Sequence, residues 1–427
     1  MHLALKSAMS RIPYTNKVGE TLSSIADPAA AYSLRALGGG DSMVARVRRS
    51  SDDTEKDFTA SDMGAALEDW VNEDVVTYQS DFSSGTDGWG GSGDEDGVLV
   101  SQSSAGIGGQ SNTIIATLDS TNGVHSFWDD LDRYNGTGLF KIKFDVYIPS
   151  NQDINGVQLL VYSEGSNAFQ PILNPTLDSW NTYESNEFIR TAADSNRIFF
   201  YLTGENGRVF TGNGTDFAHF KNIEITQLTA DGHVTTWYDQ SGNDNHATQG
   251  TAGSQPKIVD GGTLVSGGIK FDGAQMLDIS TSWDIGSLSS FLVAAVPIVG
   301  GNNIVLDLGN SPENLRWTAP WDNVGTRRFG YADSGASVTI SASSNTTLYT
   351  AIAGSTAGGF NGFANGSLQG TALLASGTPS GTPRIGARYD AQNPFTGTIS
   401  ELIIYDSDQS SNRAAIETNI NNHYDIY

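Results

Sequence analysis

From Phe140 to Ile148 the chain alternates strictly, with Phe140, Ile142, Phe144, Val146 and Ile148 apolar and Lys141, Lys143, Asp145 and Tyr147 between them. A period of two places successive side chains on opposite faces of a strand, so this segment predicts one packed face and one wet face. VQLLVY (157–162), RIFFYLT (197–203) and FKNIEIT (220–226) predict further strands, and Asn-Gly pairs beginning at 122, 135, 155 and 206 suit the tight turns between them. These strands read as a jelly-roll sandwich over 78–228. A second series, HVTTWYD, GIKFDG, SSFLVAAVPIV, NIVLDLG, RRFGYA, TLYTAIAG and GTISELIIYD, runs from His233 to Asp406 between Gly, Ser and Asn turns and predicts another sandwich.

Helical signals are few. Asp27, Pro28 and Gly38 stand in the order of an N-cap, a first-turn proline and a C-terminal glycine, predicting a short helix with Ala31, Leu34 and Leu37 inward. A second helix is expected over Met63–Val71. A closing helix is expected over Ser411–His423, where Ile416 and Ile420 sit four apart and Tyr424 extends their face. Turn-rich sequence sets in after 71, so a boundary is placed near Thr77. The expected class is all-β, two β-sandwiches with a few short helices.

Composition agrees with short strands and tight turns: 49 glycines among 427 residues, 10% aromatic and 17% charged. The net charge of -25 argues against nucleic acid as a partner, because gripping a phosphate backbone needs clustered Lys and Arg. It fits either a soluble, aggregation-resistant surface or carboxylates that hold Ca²⁺. Without cysteine there is no disulfide framework, thiolate chemistry or Cys-ligated zinc. No stretch approaches the roughly 18 apolar residues of a membrane span, and the first residues lack the apolar run of a secretory signal, so neither membrane insertion nor standard export is expected. Residues 1–22 hold His2, Lys6, Arg11 and Lys17 against Glu20, a basic bias that marks them as an arm, either a loose terminus or a docking segment.

AYSLRALGGGDSMVARVRRSSDDTEKDF (31–58) and VTTWYDQSGNDNHATQ (234–249) together resemble the catalytic domain of α-L-arabinofuranosidase B, glycoside hydrolase family 54. The same pair is similar to a lectin-type domain found in structural proteins of marine bacteriophages. The resemblance implies a concanavalin A-like sandwich made of 23–77 and 229–427, with 78–228 inserted. GTISELIIYDSDQSSNRAAIETNINNHY (397–424) is similar to the final strand and helix of such sandwiches. Within the insert, DFSSGTDGW (81–89) and LDSWNTYESNEFI (177–189) resemble strands of family 4/9-type carbohydrate-binding modules. Those modules hold Ca²⁺ at an Asp-Asn pair where this chain has His219, Phe220, Lys221 and Asn222.

Candidate chemistry follows from these strings. Glycosidase work needs two flanking carboxyl groups. Resemblance to the family 54 nucleophile run makes Glu313 in LDLGNSPEN one candidate, with Pro312 interposed, and Asp406 or Asp408 in YDSDQ its partner, unless those two cap the closing helix. The family's vicinal cysteine pair has no counterpart. Asp239, Asn243, Asp244 and Asn245 cluster oxygen atoms on one loop that either holds Ca²⁺ or forms Asx turns; no other cofactor is expected. Arg46, Arg48 and Arg49 beside Asp52, Asp53 and Glu55 read as a salt-bridged network or as a grip on an acidic sugar or neighbouring subunit. Sugar rings stack on aromatic faces, so Trp89, Trp128, Trp180 and Tyr183 are the glycan-binding candidates, each with core packing as the alternative; Trp128, beside acidic neighbours, is expected at the surface.

These readings combine into a bacteriophage virion protein of a tail, fibre or capsid surface. It would be made in the host cytoplasm, joined to other virion proteins through its N-terminal arm, able to form homo-oligomers, and present its sandwiches to host or environmental glycans. An arabinofuranosidase-type hydrolase and a decoration or joining protein that binds no sugar are the alternatives.

Overall fold

The computed structural model describes residues 21–38, 40–90, 97–120, 122–130, 137–163, 166–190, 197–205, 207–284, 287–297, 303–309, 315–318, 326–331, 337–341, 343–353, 359–373 and 382–427. Strands dominate, every sheet is antiparallel, and the described residues hold two α-helices, Ala65–Val71 and Arg413–Tyr424. Neither is long and apolar enough to cross a membrane. The chain divides into two compact units, one of 1–49, 54–70 and 232–427, the other of 50–53 and 71–231.

In the first unit the ten-residue strand Thr396–Tyr405 is central. It pairs with Ala30–Ser33, Ile269–Asp272 and Ser289–Ala295, and the last leads on to Thr347–Ala353, Gly359–Ala364 and Ser367–Leu373. A second run joins Glu55–Thr59, Met43–Arg49, Gly232–Trp237, Ala247–Thr248, Leu277–Ile279, Arg384–Ile385 and Ile304–Asp307. Pairing of Gly232–Trp237 with Lys257–Asp260, and of that strand with Ile269–Asp272, ties the two runs together. The closing helix lays Ile416 and Ile420 on a buried cluster of Ala31, Phe291, Val293, Leu348, Ile352 and Ile403, with Tyr424 packed alongside.

The helix expected over 28–38 is not formed. Ala30–Ser33 is a strand, buried on both faces, in register from Ala30 opposite Ile404 to Ser33 opposite Glu401. Its small and aromatic side chains fit a slot beside a central strand, and the ladder there supplies the backbone bonds a helix would have made. Arg35 just beyond it donates from Nε at 2.7 Å and Nη2 at 2.9 Å to the Glu401 carboxylate, which is fully buried. Ser33 Oγ donates to the same carboxylate, and Asn419 on the closing helix accepts from Arg35. Local punctuation suggested a helix; a partner some 370 residues away in sequence decided otherwise.

The second unit is a two-layer sandwich. One sheet runs Ser166–Leu173, Gly156–Ser163, Arg197–Thr203, Asn122–Asp130 and Val209–Thr211. The other has seven strands, in order Trp180–Glu184, Gly138–Tyr147, Phe217–Gln227, Thr113–Leu118 and Val98–Ser103, with Phe188–Arg190 on the second of these and Val75–Gln79 on the third. Because Val75–Gln79 belongs to this sheet, the boundary falls at 71 rather than near Thr77. Phe127, Phe140, Phe144, Phe200 and Phe220 fill the space between the layers with edge-on and stacked ring contacts. Asn122-Gly123 lies within a strand rather than at a turn, while the pair at 135 and Asn206 of the pair at 206 fall outside the described residues.

His219 sits buried in this sandwich with Nδ1 2.7 Å from Thr113 Oγ1, and burial pulls its pKa down to about 4. An unfolded imidazole titrates near pH 6.5, so between about 6.5 and 4 the unfolded chain takes up a proton that the folded one refuses. Stability of this unit therefore falls as pH is lowered through that window. Denaturant unfolding of His219→Gln at pH 7 and pH 5 should show a smaller loss between the two than the native chain; an equal loss would mean that other groups set the dependence.

Candidate functional site

On the strand Arg197–Thr203 the inward side chains Ile198, Phe200 and Leu202 are fully buried, while Arg197, Phe199 and Tyr201 point to the other side of the sheet. Register sets Trp128 beside Phe199 and Ser126 beside Tyr201 on one flank, and Leu160 and Gln158 beside the same two residues on the other. Phe169 on the next strand lies opposite Leu160. The outer face of the five-stranded sheet thus carries a continuous strip: Trp128 and Phe199 have ring centroids 6.2 Å apart, Phe199 and Tyr201 6.0 Å, and Tyr201 and Phe169 6.1 Å. Trp128, Phe199 and Tyr201 are half-buried and Phe169 is 43% exposed.

Two guanidinium groups lie on the strip. Arg197 sits over the Trp128 ring at 4.5 Å, and Arg208 over Phe169 at 4.2 Å and Tyr201 at 5.4 Å. Along the strand from Arg197 to Tyr201 the strip extends roughly 13 Å, four residues at about 3.3 Å each, a length suited to a short oligosaccharide rather than a single ring. Its rings offer apolar faces, and Gln158 and Tyr162 on the same face offer polar edges.

The four aromatic candidates do not form one site. Trp89 is 1% exposed and packs on Phe127 and Phe200, its indole nitrogen donating to Tyr78 Oη at 3.0 Å, so no ligand reaches its ring. Tyr183 lies opposite Phe144 on the inner face of the seven-stranded sheet and is packed against the core. Trp180 is on the outer face of that same sheet, beside Tyr147, with its indole N–H donated to the Ile107 carbonyl and Lys221 over its ring. Trp128 alone joins the strip. Phe199, Tyr201, Phe169, Arg197 and Arg208 were not among the candidates. Their signal is present in RIFFYLT, where both alternating sets are apolar: a strand whose inward set already fills a core has no packing use for aromatics on the other side.

The loop after Trp237 behaves as a joint. Asp239 Oδ1 accepts from the backbone N–H of Ala31 at 2.7 Å and Ser241 at 2.9 Å, and Oδ2 accepts from Ser241 Oγ at 2.7 Å and Asn245 N at 3.0 Å. Asn243 and Asn245 donate from their amides to the carbonyls of Pro28 and Ala29. Asp244 turns outward, its side chain 91% exposed, 4.0 Å from His246. Four donors satisfy the one buried carboxylate, and among the described residues no three His, Asp or Glu side chains converge, so these residues do not fit a Ca²⁺ site. The joint links 28–33 to 239–245, which brings together the two segments that carry the family 54 resemblance. In the insert, at the place where the family 4/9-type modules hold Ca²⁺, His219 bonds Thr113 and Asn222 donates to Asp145 at 2.6 Å.

The remaining charged candidates are accounted for individually. Arg46 forms a bidentate pair with Asp57 at 2.8 and 2.9 Å, Arg48 donates to Gln255, and Arg49 lies 5.1 Å from the Trp70 ring. Tyr238 Oη donates to Asp57 at 2.6 Å; burial and that anion push the phenol up to about 12. The salt-bridged reading thus holds for Arg46, with Asp57 rather than Asp52, Asp53 or Glu55 as its partner, while Arg48 meets a neutral amide and Arg49 a ring. Asp406 is exposed, and Asp408 accepts from the backbone N–H of Ser410 at 2.9 Å. Neither caps the closing helix, whose N-cap position is Asn412. Glu313 and arm residues 1–20 lie outside the described residues.

No family model and no curated protein matches the chain. Among solved structures it is similar to the CBM22-1 xylan-binding domain of Xyn10C from Paenibacillus barcinonensis, at 12% identity over 36% of this chain and 96% of that one, TM-score 0.29. The tandem CBM22-1-CBM22-2 domain of the same enzyme is matched at 10% identity over 78% of this chain and 97% of that one, TM-score 0.32. An arabinose-bound GH51 α-L-arabinofuranosidase is matched at 12% identity over 49% of this chain and 31% of that one, TM-score 0.25.

Proposed function

We propose that the protein binds glycans through the outer face of its five-stranded sheet, and that it does so as a structural component of a bacteriophage particle. One observation carries the first part: four aromatic rings in a continuous strip on a sheet whose other face already holds a full core. Rings placed outward add nothing to that core, yet together with the guanidinium planes laid on three of them they form a flat platform against which the C–H faces of pyranose rings stack. Amide and hydroxyl groups beside them suit sugar hydroxyls. The virion placement is supported by the resemblance of 31–58 and 234–249 to phage structural proteins, and by a cysteine-free, strongly acidic chain whose exposed surface carries its own solubility.

Two experiments test the two parts. The intact chain applied to a glycan array should retain a restricted set of oligosaccharides; a blank array would favour the decoration reading. Mass spectrometry of density-purified particles from the source culture should find peptides of both units at a fixed ratio to the major capsid protein; their absence from particles would remove the virion placement and leave the binding reading intact.

A further inference from the structure

We infer that the glycans taken by this strip are anionic, carrying carboxylate or sulfate groups that Arg197 and Arg208 grip. The inference rests on the strip being a glycan platform and adds the chemical class of what it holds.

Both guanidiniums have no ion pair among the described residues, in a chain that has 48 acidic residues against 23 Lys and Arg. Four other arginines behave differently. Arg35, Arg46, Arg384 and Arg413 each meet a carboxylate within 3 Å. Arg197 has Asp130 directly opposite in register, yet its guanidinium lies over the Trp128 ring instead. Arg208 likewise rests on Phe169 and Tyr201. A guanidinium over a ring is held in place by the ring's quadrupole while its N–H donors stay available for another partner. Planar N–H forks match carboxylate and sulfate oxygens two at a time, so the pair is oriented for anions before any ligand arrives.

Placement strengthens the case. Arg197 stands on the Trp128 portion of the strip and Arg208 on the Tyr201 and Phe169 portion, so an oligosaccharide stacked along the rings passes both cations. Elsewhere the net charge of -25 repels polyanions. Attraction of an acidic polymer must then be local and short-ranged, since at physiological salt a charge is screened beyond about 8 Å. On the opposite sheet the cation beside Trp180 and Tyr147 is Lys221, an ammonium that donates to Gln110 and has no planar fork to match a carboxylate or sulfate two oxygens at a time.

The test compares binding of the full chain to alginate, to alginate with its carboxyls reduced to alcohols, and to a sulfated galactan with its desulfated form, at 0.15 M salt. The native chain should prefer at least one anionic polymer over its neutral counterpart by about tenfold, as expected when charged hydrogen bonds are added. Which pair shows the preference separates carboxylate from sulfate. Arg197→Gln with Arg208→Gln should abolish the preference, Arg→Lys at both should keep part of it, and Lys221→Gln should leave it unchanged. Equal binding to charged and neutral polymers overturns the inference and leaves the glycan platform standing. Binding to none of the four overturns both. A preference that survives removal of both arginines overturns the assignment of the anion site, and a change of oligomeric state on their removal, without polymer binding, would reassign the strip to self-association.

Discussion

Glu401→Ala should destabilise the first unit by about 3–5 kcal/mol, the largest effect expected of any single substitution at a polar position here. Glu401 lies on the central strand Thr396–Tyr405 with no exposed surface, and Arg35 has only 6% of its own exposed. Removal of the carboxylate leaves a guanidinium buried without its counter-charge and takes away the acceptor to which the Ser33 hydroxyl donates. For a unit of this size a loss of 1 kcal/mol moves the midpoint by about 2–4 °C, so thermal unfolding should begin roughly 10 °C earlier. Arg35→Met with Glu401→Leu should recover most of the loss, because two apolar side chains of similar volume need no counter-charge. A single variant indistinguishable from the native chain would mean that water reaches this pair. The pH dependence has a definite sign. Burial alone would raise the Glu401 pKa, but Arg35 and Ser33 outweigh it and hold the carboxyl below its ordinary value. Its contribution is therefore complete above the unfolded value near 4.3 and is lost as pH falls through the lower folded value.

The second large effect is on binding. Trp128→Ala and Tyr201→Ala should each weaken glycan binding at least tenfold, since aromatic anchors at the middle of a recognition patch carry most of its free energy, often 2 kcal/mol or more apiece. Both rings stand on the outer face over a complete core, so their loss should leave thermal unfolding within a few degrees of native. Trp180→Ala, on the other sheet, should change affinity less than about twofold. Trp89→Ala is the opposite case: its ring is part of the core, and truncation should cost about 3–5 kcal/mol in folding rather than act on a ligand. Equilibrium titration beside a thermal melt of each variant separates the two kinds of effect.

Alternation made most of the strands legible. Phe140–Tyr147 lies in the strand Gly138–Tyr147 with the inward and outward sets its sequence announces, RIFFYLT coincides with Arg197–Thr203, and Ile416 with Ile420 places the closing helix on its core. What alternation cannot give is the identity of whatever covers the second face. Trp89 sits in a turn-rich stretch with no period, so nothing local says that its ring turns into the core. In HSFWDD the period does separate Phe127 from Trp128, but only the register with Phe199 brings Trp128 into a strip. The strand Ala30–Ser33 was hidden for a related reason, since its partners are Glu401 on the central strand and Asp239 in a loop, both distant in sequence. Asp239 itself showed a donor-rich loop, and the choice between metal ligand and joint depended on which groups reach it, four N–H and O–H donors.

Native gels cast with each of a panel of neutral and uronate polysaccharides test the central claim most directly, with the intact chain, Trp128→Ala combined with Tyr201→Ala, and Trp180→Ala run side by side. The account predicts that at least one polymer retards the native chain and Trp180→Ala alike while the double variant runs as in an empty gel. Retardation of the double variant to the same extent as the native chain, or no retardation of any of them in every gel, would contradict it.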